Sequence, residues 1–151
     1  MKKLLVLLLV LSLLTACTAQ ETAEEVPQED AWGLTLALEF TDGGAVLVFT
    51  QSGGAPTGEL MSGSYYIVER REGDAWEKVP FRPELDGENL AWTAEGWMIP
   101  MEDTVRYGVD WSFLYGELPA GEYRIGKEVM DFRAAGDFDE KMYYAQFAVI
   151  D

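Results

Sequence analysis

The feature that most limits what this chain can fold into is a two-residue rhythm of apolar side chains, recurring from Leu34 onward. Leu34, Leu36, Leu38 and Phe40 alternate with Thr35, Ala37 and Glu39. Val105, Tyr107, Val109 and Trp111 alternate with Thr104, Arg106, Gly108 and Asp110. Successive side chains of a strand point to opposite faces, so this pattern buries one face of a sheet and presents no stripe along a helix. Ala45 to Thr50 is an apolar run short enough for a buried strand. Tyr65 to Arg70 passes through Arg71-Glu72-Gly73-Asp74 into Trp76 to Val79, which predicts a hairpin turning near Gly73. In a further strand Tyr123 and Ile125 alternate with Glu122, Arg124 and Gly126, and a last one runs from about Met142 to Ile150, with Tyr143, Ala145, Phe147 and Val149 on one face. The one helical signal is a single turn from Asp110 to Tyr115, closed by Gly116. Residues 32–151 therefore predict one all-β domain, an antiparallel sandwich of about seven strands.

Ahead of that domain the sequence changes character twice. Lys2 and Lys3 precede the apolar run Leu4 to Leu14, the layout of a secretory signal peptide. As a helix the run rises roughly 17 Å, against a hydrocarbon core of about 30 Å, so it is too short for a comfortable span. Leu14-Thr15-Ala16-Cys17 resembles the lipobox of bacterial lipoproteins: a branched apolar residue, two small residues, then cysteine. The resemblance implies a diacylglyceryl thioether on Cys17, cleavage after Ala16, and Cys17 as the new N-terminus. The chain has 1 cysteine, so the domain has no disulfide, and a thiol kept for lipid is neither nucleophile nor metal ligand. Two acyl chains suffice for stable anchoring. Thr18 to Asp30 is acidic and without aromatic residues, and it cannot bury enough surface to order itself. The expected order is a signal peptide over 1–16, a lipidated cysteine with an acidic tether over 17–31, and a sandwich over 32–151. Membrane lipid is then the first partner, and the location is extracytoplasmic.

Leu118-Pro119-Ala120-Gly121-Glu122-Tyr123 sharpens the fold. Sandwiches of immunoglobulin type often place a tyrosine at the start of a late strand, with its ring inward and its hydroxyl bonded to backbone a few residues upstream. Tyr123 is expected to form that corner. Tyr65-Tyr66-Ile67-Val68-Glu69-Arg70 followed by Trp76, the segment from Trp111 to Ile125, and Tyr144-Ala145-Gln146-Phe147-Ala148-Val149 together resemble a bacterial immunoglobulin-like domain family of secreted lipoproteins. The resemblance covers roughly Trp32 to Ile150 and implies fold and location. It brings no catalytic residues to carry over.

The composition removes several activities. There are no histidines, so the commonest general base and metal ligand is missing, and the serines have no imidazole to activate them. A formal net charge of −16 repels nucleic acid and anionic headgroups. No catalysis and no cofactor are expected. Asp137, Asp139 and Glu140, in a stretch read as a loop, are weak candidates for calcium, which prefers oxygen ligands. A second oxygen-rich loop runs from Glu84 to Asn89. Trp76 and Trp111 fall in alternating strands and are expected in the core. Trp92 and Trp97 lie in an irregular stretch between Phe81 and Met101 and are the candidate contacts for an envelope protein or glycan; the competing reading makes Trp97 to Met101 a strand and has Trp92 close one end of the core. The expected function is a membrane-anchored surface lipoprotein with an immunoglobulin-like binding or structural module. The alternative is an extracellular protein-binding inhibitor, for example of a protease.

Overall fold

A computed structural model describes residues 30–41, 44–85, 90, 92 and 95–150. The signal peptide, Ala16, Cys17 and the tether up to residue 29 lie outside the described residues. The strands are β1 (Leu34–Thr41), β2 (Gly44–Gln51), β3 (Glu59–Ser62), β4 (Ile67–Glu72), β5 (Ala75–Lys78), β6 (Trp97–Met98), β7 (Thr104–Val109), β8 (Gly121–Ala134) and β9 (Asp137–Val149). One helical turn, α1 (Ser112–Tyr115), lies between β7 and β8. The strands form two antiparallel sheets that pack as a sandwich. The smaller sheet has the order β1-β2-β7. The larger is built on β8: β9 pairs along one edge, and β3 and β4 lie end to end along the other. β5 then flanks β4, and β6 flanks β3.

The alternation fills the space between the sheets. Leu34, Leu47 and Phe49 from the small sheet meet Val68, Tyr123, Ile125, Val129 and Ala145 from the large one, all buried. Burying a side chain of this size contributes about 1.5–3 kcal/mol relative to leaving it exposed. Trp32, Ile99, Leu114 and Tyr115 close the ends of the core. The Tyr123 ring is buried and packs on Phe147 at 5.5 Å between centroids, while its hydroxyl donates to Pro119 O at 2.7 Å.

Nine strands among the described residues exceed the seven expected, and the additions have physical reasons. β3 and β6 are short, at 4 and 2 residues, below the length at which alternation is legible. β8 does not stop at Gly126. It continues to Ala134 because the space a side chain would fill there is taken by Ile67, Tyr144 and Met142, each within 3.0 Å of where a Cβ would stand. β8 and β9 then join through Gly136, at φ 77°, a turn that glycine makes without strain. The stretch read as an acidic loop is thus strand: Asp137, Asp139 and Glu140 belong to β9.

Two further expectations are corrected. Trp76 is not core: opposite Arg71 in the β4–β5 hairpin, it is half-buried, with the Arg124 guanidinium 4.7 Å from its ring. Arg124 also covers Tyr144 at 3.9 Å and bonds Glu69 at 2.5 Å, so a charged plate covers the aromatic surface there. The folded unit also starts before Trp32. The Asp30 carboxylate accepts from Trp32 N at 3.0 Å, from Lys141 Nζ at 2.8 Å and from the Tyr143 hydroxyl, tying Asp30 to β9 rather than leaving it in a tether.

Candidate binding cleft

The site begins with a charge in a core position. Along β8 the inward residues are Tyr123, Ile125, Lys127, Val129 and Asp131, and Lys127 is fully buried. An ammonium placed there must find acceptors. It finds them because β3 ends at Ser62 and β4 begins only at Ile67. Lys127 Nζ donates to the Tyr65 carbonyl at 2.6 Å and to the Gly63 carbonyl, two backbone acceptors in the gap between those strands. It also lies 4.2 Å from the centre of the Trp97 ring. Burial pushes the Lys127 ammonium down to about 8, against the opposing pull of Glu128.

The interrupted strand presents a pair of aromatic residues to the β5–β6 connection. Trp92 meets Tyr65 and Tyr66 edge-on, at 5.0 and 5.7 Å between centroids. Trp97 stacks on Tyr107 at 4.4 Å and 9°. The Tyr107 hydroxyl donates to Met98 O at 2.7 Å, which fixes the ring beside β6. Between these groups and α1 lies a cleft of about 290 Å³, whose walls include Tyr66, Trp92, Trp97, Val109, Phe113 and Leu114. Tyr65 and Phe113 are exposed at 44% and 60%, so the aromatic surface reaches solvent.

The polar groups of the cleft are held in defined states. The Tyr66 hydroxyl donates to Asp110 O at 2.9 Å, and burial, then the neighbouring Tyr115 and Asp110, raise its phenol far above the ordinary range. Burial likewise pushes Tyr115 up to about 12. Both phenols therefore remain neutral donors. The Asp110 carboxylate behaves oppositely. Ser112 donates to Asp110 Oδ1 from its hydroxyl at 2.5 Å and from its amide at 2.9 Å, holding the carboxyl below its usual range. Asp110 is exposed and ionised at neutral pH, on the rim of an otherwise apolar cavity. An aromatic pocket with one fixed anion can hold an apolar or ring-bearing group and favour a positive charge beside it.

The structure brings Trp92 and Trp97 into this one cleft. Tyr123 lines a different depression with Arg70, Val79 and Pro119. Asp137 and Asp139 both face Arg133, at 2.8 and 3.0 Å, while Glu140 alternates to the other face of β9. Those two acids have a cationic side chain as partner, and no cluster of three or more potential metal ligands occurs among the described residues. Of the Glu84–Asn89 stretch, residues 86–89 lie outside the described residues. Trp111 does not continue β7 but opens α1, stacking on Phe147 at 5.0 Å. Sequence reasoning missed Tyr65, Tyr66, Asp110, Phe113 and Lys127 as parts of a site. The legible signals were two adjacent tyrosines that break the alternation, and a lysine between Ile125 and Val129 on the inward face.

No curated protein and no solved structure matches the chain. A family model described as a bacterial Ig-like domain matches residues 30–148. That span contains both sheets, the cleft and the Asp30 tie, and the chain belongs to the bacterial Ig-like domain family.

Proposed function

We propose that the protein is a membrane-anchored surface lipoprotein whose Ig-like domain is a non-catalytic module, binding an envelope partner through the Trp92–Trp97 cleft. The observation that carries this reading is the gathering of two tryptophans from one irregular connection around a cavity of about 290 Å³, with Tyr65 and Phe113 exposed beside it. Apolar cavities edged by a few oriented polar groups are the usual form of a recognition site, and aromatic anchors dominate interface energetics. The anchor rests on Leu14-Thr15-Ala16-Cys17, which would hold the module at an extracytoplasmic membrane surface through lipid on Cys17.

The test is crosslinking on intact cells followed by mass spectrometry, with wild type, Trp92→Ala and Phe113→Ser. Phe113 is exposed at 60%, so its replacement leaves stability nearly unchanged. Loss of the crosslinked partner in both variants, with the melting temperature of Phe113→Ser at wild-type level, supports the reading. Undiminished capture by both variants removes the cleft from the contact surface. Separately, Cys17→Ser should release the protein from membranes, and a normally processed, lipid-bearing Ser variant would refute the anchor.

A further inference from the structure

A second cleft, of about 400 Å³, adjoins the first, and Asp110 and Val109 line both. Its walls include Phe40, Thr41, Ala45 and Trp111, with Phe40 edge-on to Trp111 at 6.0 Å and exposed at 60%. Asp110 thus stands on the ridge between two apolar depressions, each with an exposed aromatic residue beside it, Phe113 on one side and Phe40 on the other. The short segment from β7 into α1 creates this arrangement. β7 ends at Val109, Asp110 turns back to bond Ser112, and Trp111 and Phe113 then line different clefts.

Among the described residues that line the two clefts Asp110 is the charged one, and its charge is fixed. Asp110 Oδ1 is held by Ser112, which keeps the carboxylate ionised with no salt bridge to a cationic side chain among the described residues. Lys127 does not neutralise it, because its ammonium is directed to the Gly63 and Tyr65 carbonyls and to the Trp97 face. A formal net charge of −16 adds a long-range field that draws cations and opposes self-association.

We infer that the paired clefts recognise a cationic peptide segment of a partner protein, in which a basic side chain on Asp110 is flanked by two apolar ones. This rests on the reading of the Trp92–Trp97 cleft as the contact site and names the chemistry of what it takes. In an extended segment residues two apart share a face, so an arginine with apolar residues two positions to either side offers all three groups together. The first apolar group enters the cleft lined by Trp92 and Phe113, and the second enters the depression lined by Phe40, Ala45 and Trp111.

The experiment uses the full chain in zwitterionic nanodiscs and a short capped peptide with one arginine and a phenylalanine two residues to each side. A control peptide carries glutamate in place of the arginine. Tryptophan fluorescence titration should show binding of the arginine peptide, weakened by salt, and at least ten-fold weaker binding of the control. Asp110→Asn keeps the oxygen that bonds Ser112 and removes only the charge. It should weaken the arginine peptide about three-fold, the scale of a solvent-exposed ion pair. Phe40→Ala should weaken it about five-fold with the melting temperature unchanged. Absence of binding by the arginine peptide, equal binding of the two peptides, or an unchanged affinity in Asp110→Asn overturns the inference. If the peptides fail in this way while Trp92→Ala and Phe113→Ser lose their partner on cells, the contact site stands and only the cationic segment falls.

Discussion

Raising the pH from 7 to 9.5 should make this protein more stable, and the reason is Lys127. Its ammonium is fully buried and contacts no carboxylate side chain among the described residues; it is satisfied by the Gly63 and Tyr65 carbonyls and by the face of Trp97. Burial depresses its pKa to about 8, from 10.5. The folded state therefore releases the proton more readily than the unfolded chain. Between about pH 8 and 10.5 the unfolded state binds more protons, and stability rises with pH across that window. Linkage between those two values gives a gain of about 2 kcal/mol from pH 7 to 9.5. Deprotonation does not strip the site of its hydrogen bonds. A neutral amine keeps two N–H donors, and two carbonyls await them. Above about pH 10 the trend should reverse. Burial holds Tyr66 and Tyr143 far above the ordinary phenol range and Tyr115 up to about 12, so the unfolded chain loses those protons first. The assay is urea unfolding followed by tryptophan fluorescence at a series of pH values, taking the midpoint at constant slope. Lys127→Met supplies the control: it lacks the titrating group, and its profile should be flat between pH 8 and 9.5. A wild-type profile that is flat or falling across that range, or the same rise in Lys127→Met, refutes the reasoning.

Three other perturbations test the frame that holds the cleft. Tyr123→Phe removes the bond to Pro119 O and should cost about 0.5–1.5 kcal/mol, whereas Tyr123→Ala opens a cavity worth about 3–5 kcal/mol, both read from denaturant midpoints. Gly58→Ala would set a Cβ 2.2 Å from Phe132 O, so β8 must shift, and a loss near 3 kcal/mol is expected by the same measurement. Burial alone would raise the Asp131 carboxyl, but the Thr57 amide and hydroxyl at 2.7 and 2.9 Å, the Gly58 amide at 2.5 Å and Arg133 outweigh it and lower its pKa. Its stabilisation is complete above about pH 4 and lost as the pH falls below it, so Asp131→Asn should be less stable at pH 7 and show a shallower acid limb in a pH titration of the melting temperature.

Much of the sheet structure was legible because alternation reports one-sided burial directly. Leu34 to Phe40, Val105 to Val109 and the face of β9 that carries Tyr143, Ala145, Phe147 and Val149 read correctly for that reason. The errors fall where a local rule met a tertiary contact. The alternation around Tyr123 is legible only as far as Gly126, whose missing side chain admits Ile67, Tyr144 and Met142 where the strand runs on to Ala134. Acidic runs ordinarily read as solvated loops, yet Asp137 and Asp139 form strand because Arg133, four residues or so earlier across a tight turn, neutralises both. A tryptophan in an alternating strand ordinarily faces the core. Trp76 instead takes the outer face, because Arg124 covers it there.

The cleft was less legible than the strands, and the cause lies in Lys127. Once β8 is known to run unbroken from Gly121 to Ala134, the period of two assigns Lys127 to the interior. An interior ammonium requires acceptors, and ladder carbonyls within a continuous sheet already have partners. The strand opposite must therefore release two of its own. β3 and β4 separate at Gly63–Tyr66, and that separation both frees the carbonyls for Lys127 and lets Tyr65 and Tyr66 meet Trp92. The interruption of the sheet and the formation of the aromatic wall are one event. In the sequence it shows only as a lysine two residues after Ile125 and two before Val129, and it becomes readable when the register of β8 is fixed by β9 on one edge and by β3 and β4 on the other. An apolar residue at position 127 would need no such acceptors, so in Lys127→Met the Gly63 and Tyr65 carbonyls lose the donor that holds the gap open. The altered contacts of Trp92 and Trp97 should then be visible in the tryptophan fluorescence of the folded variant.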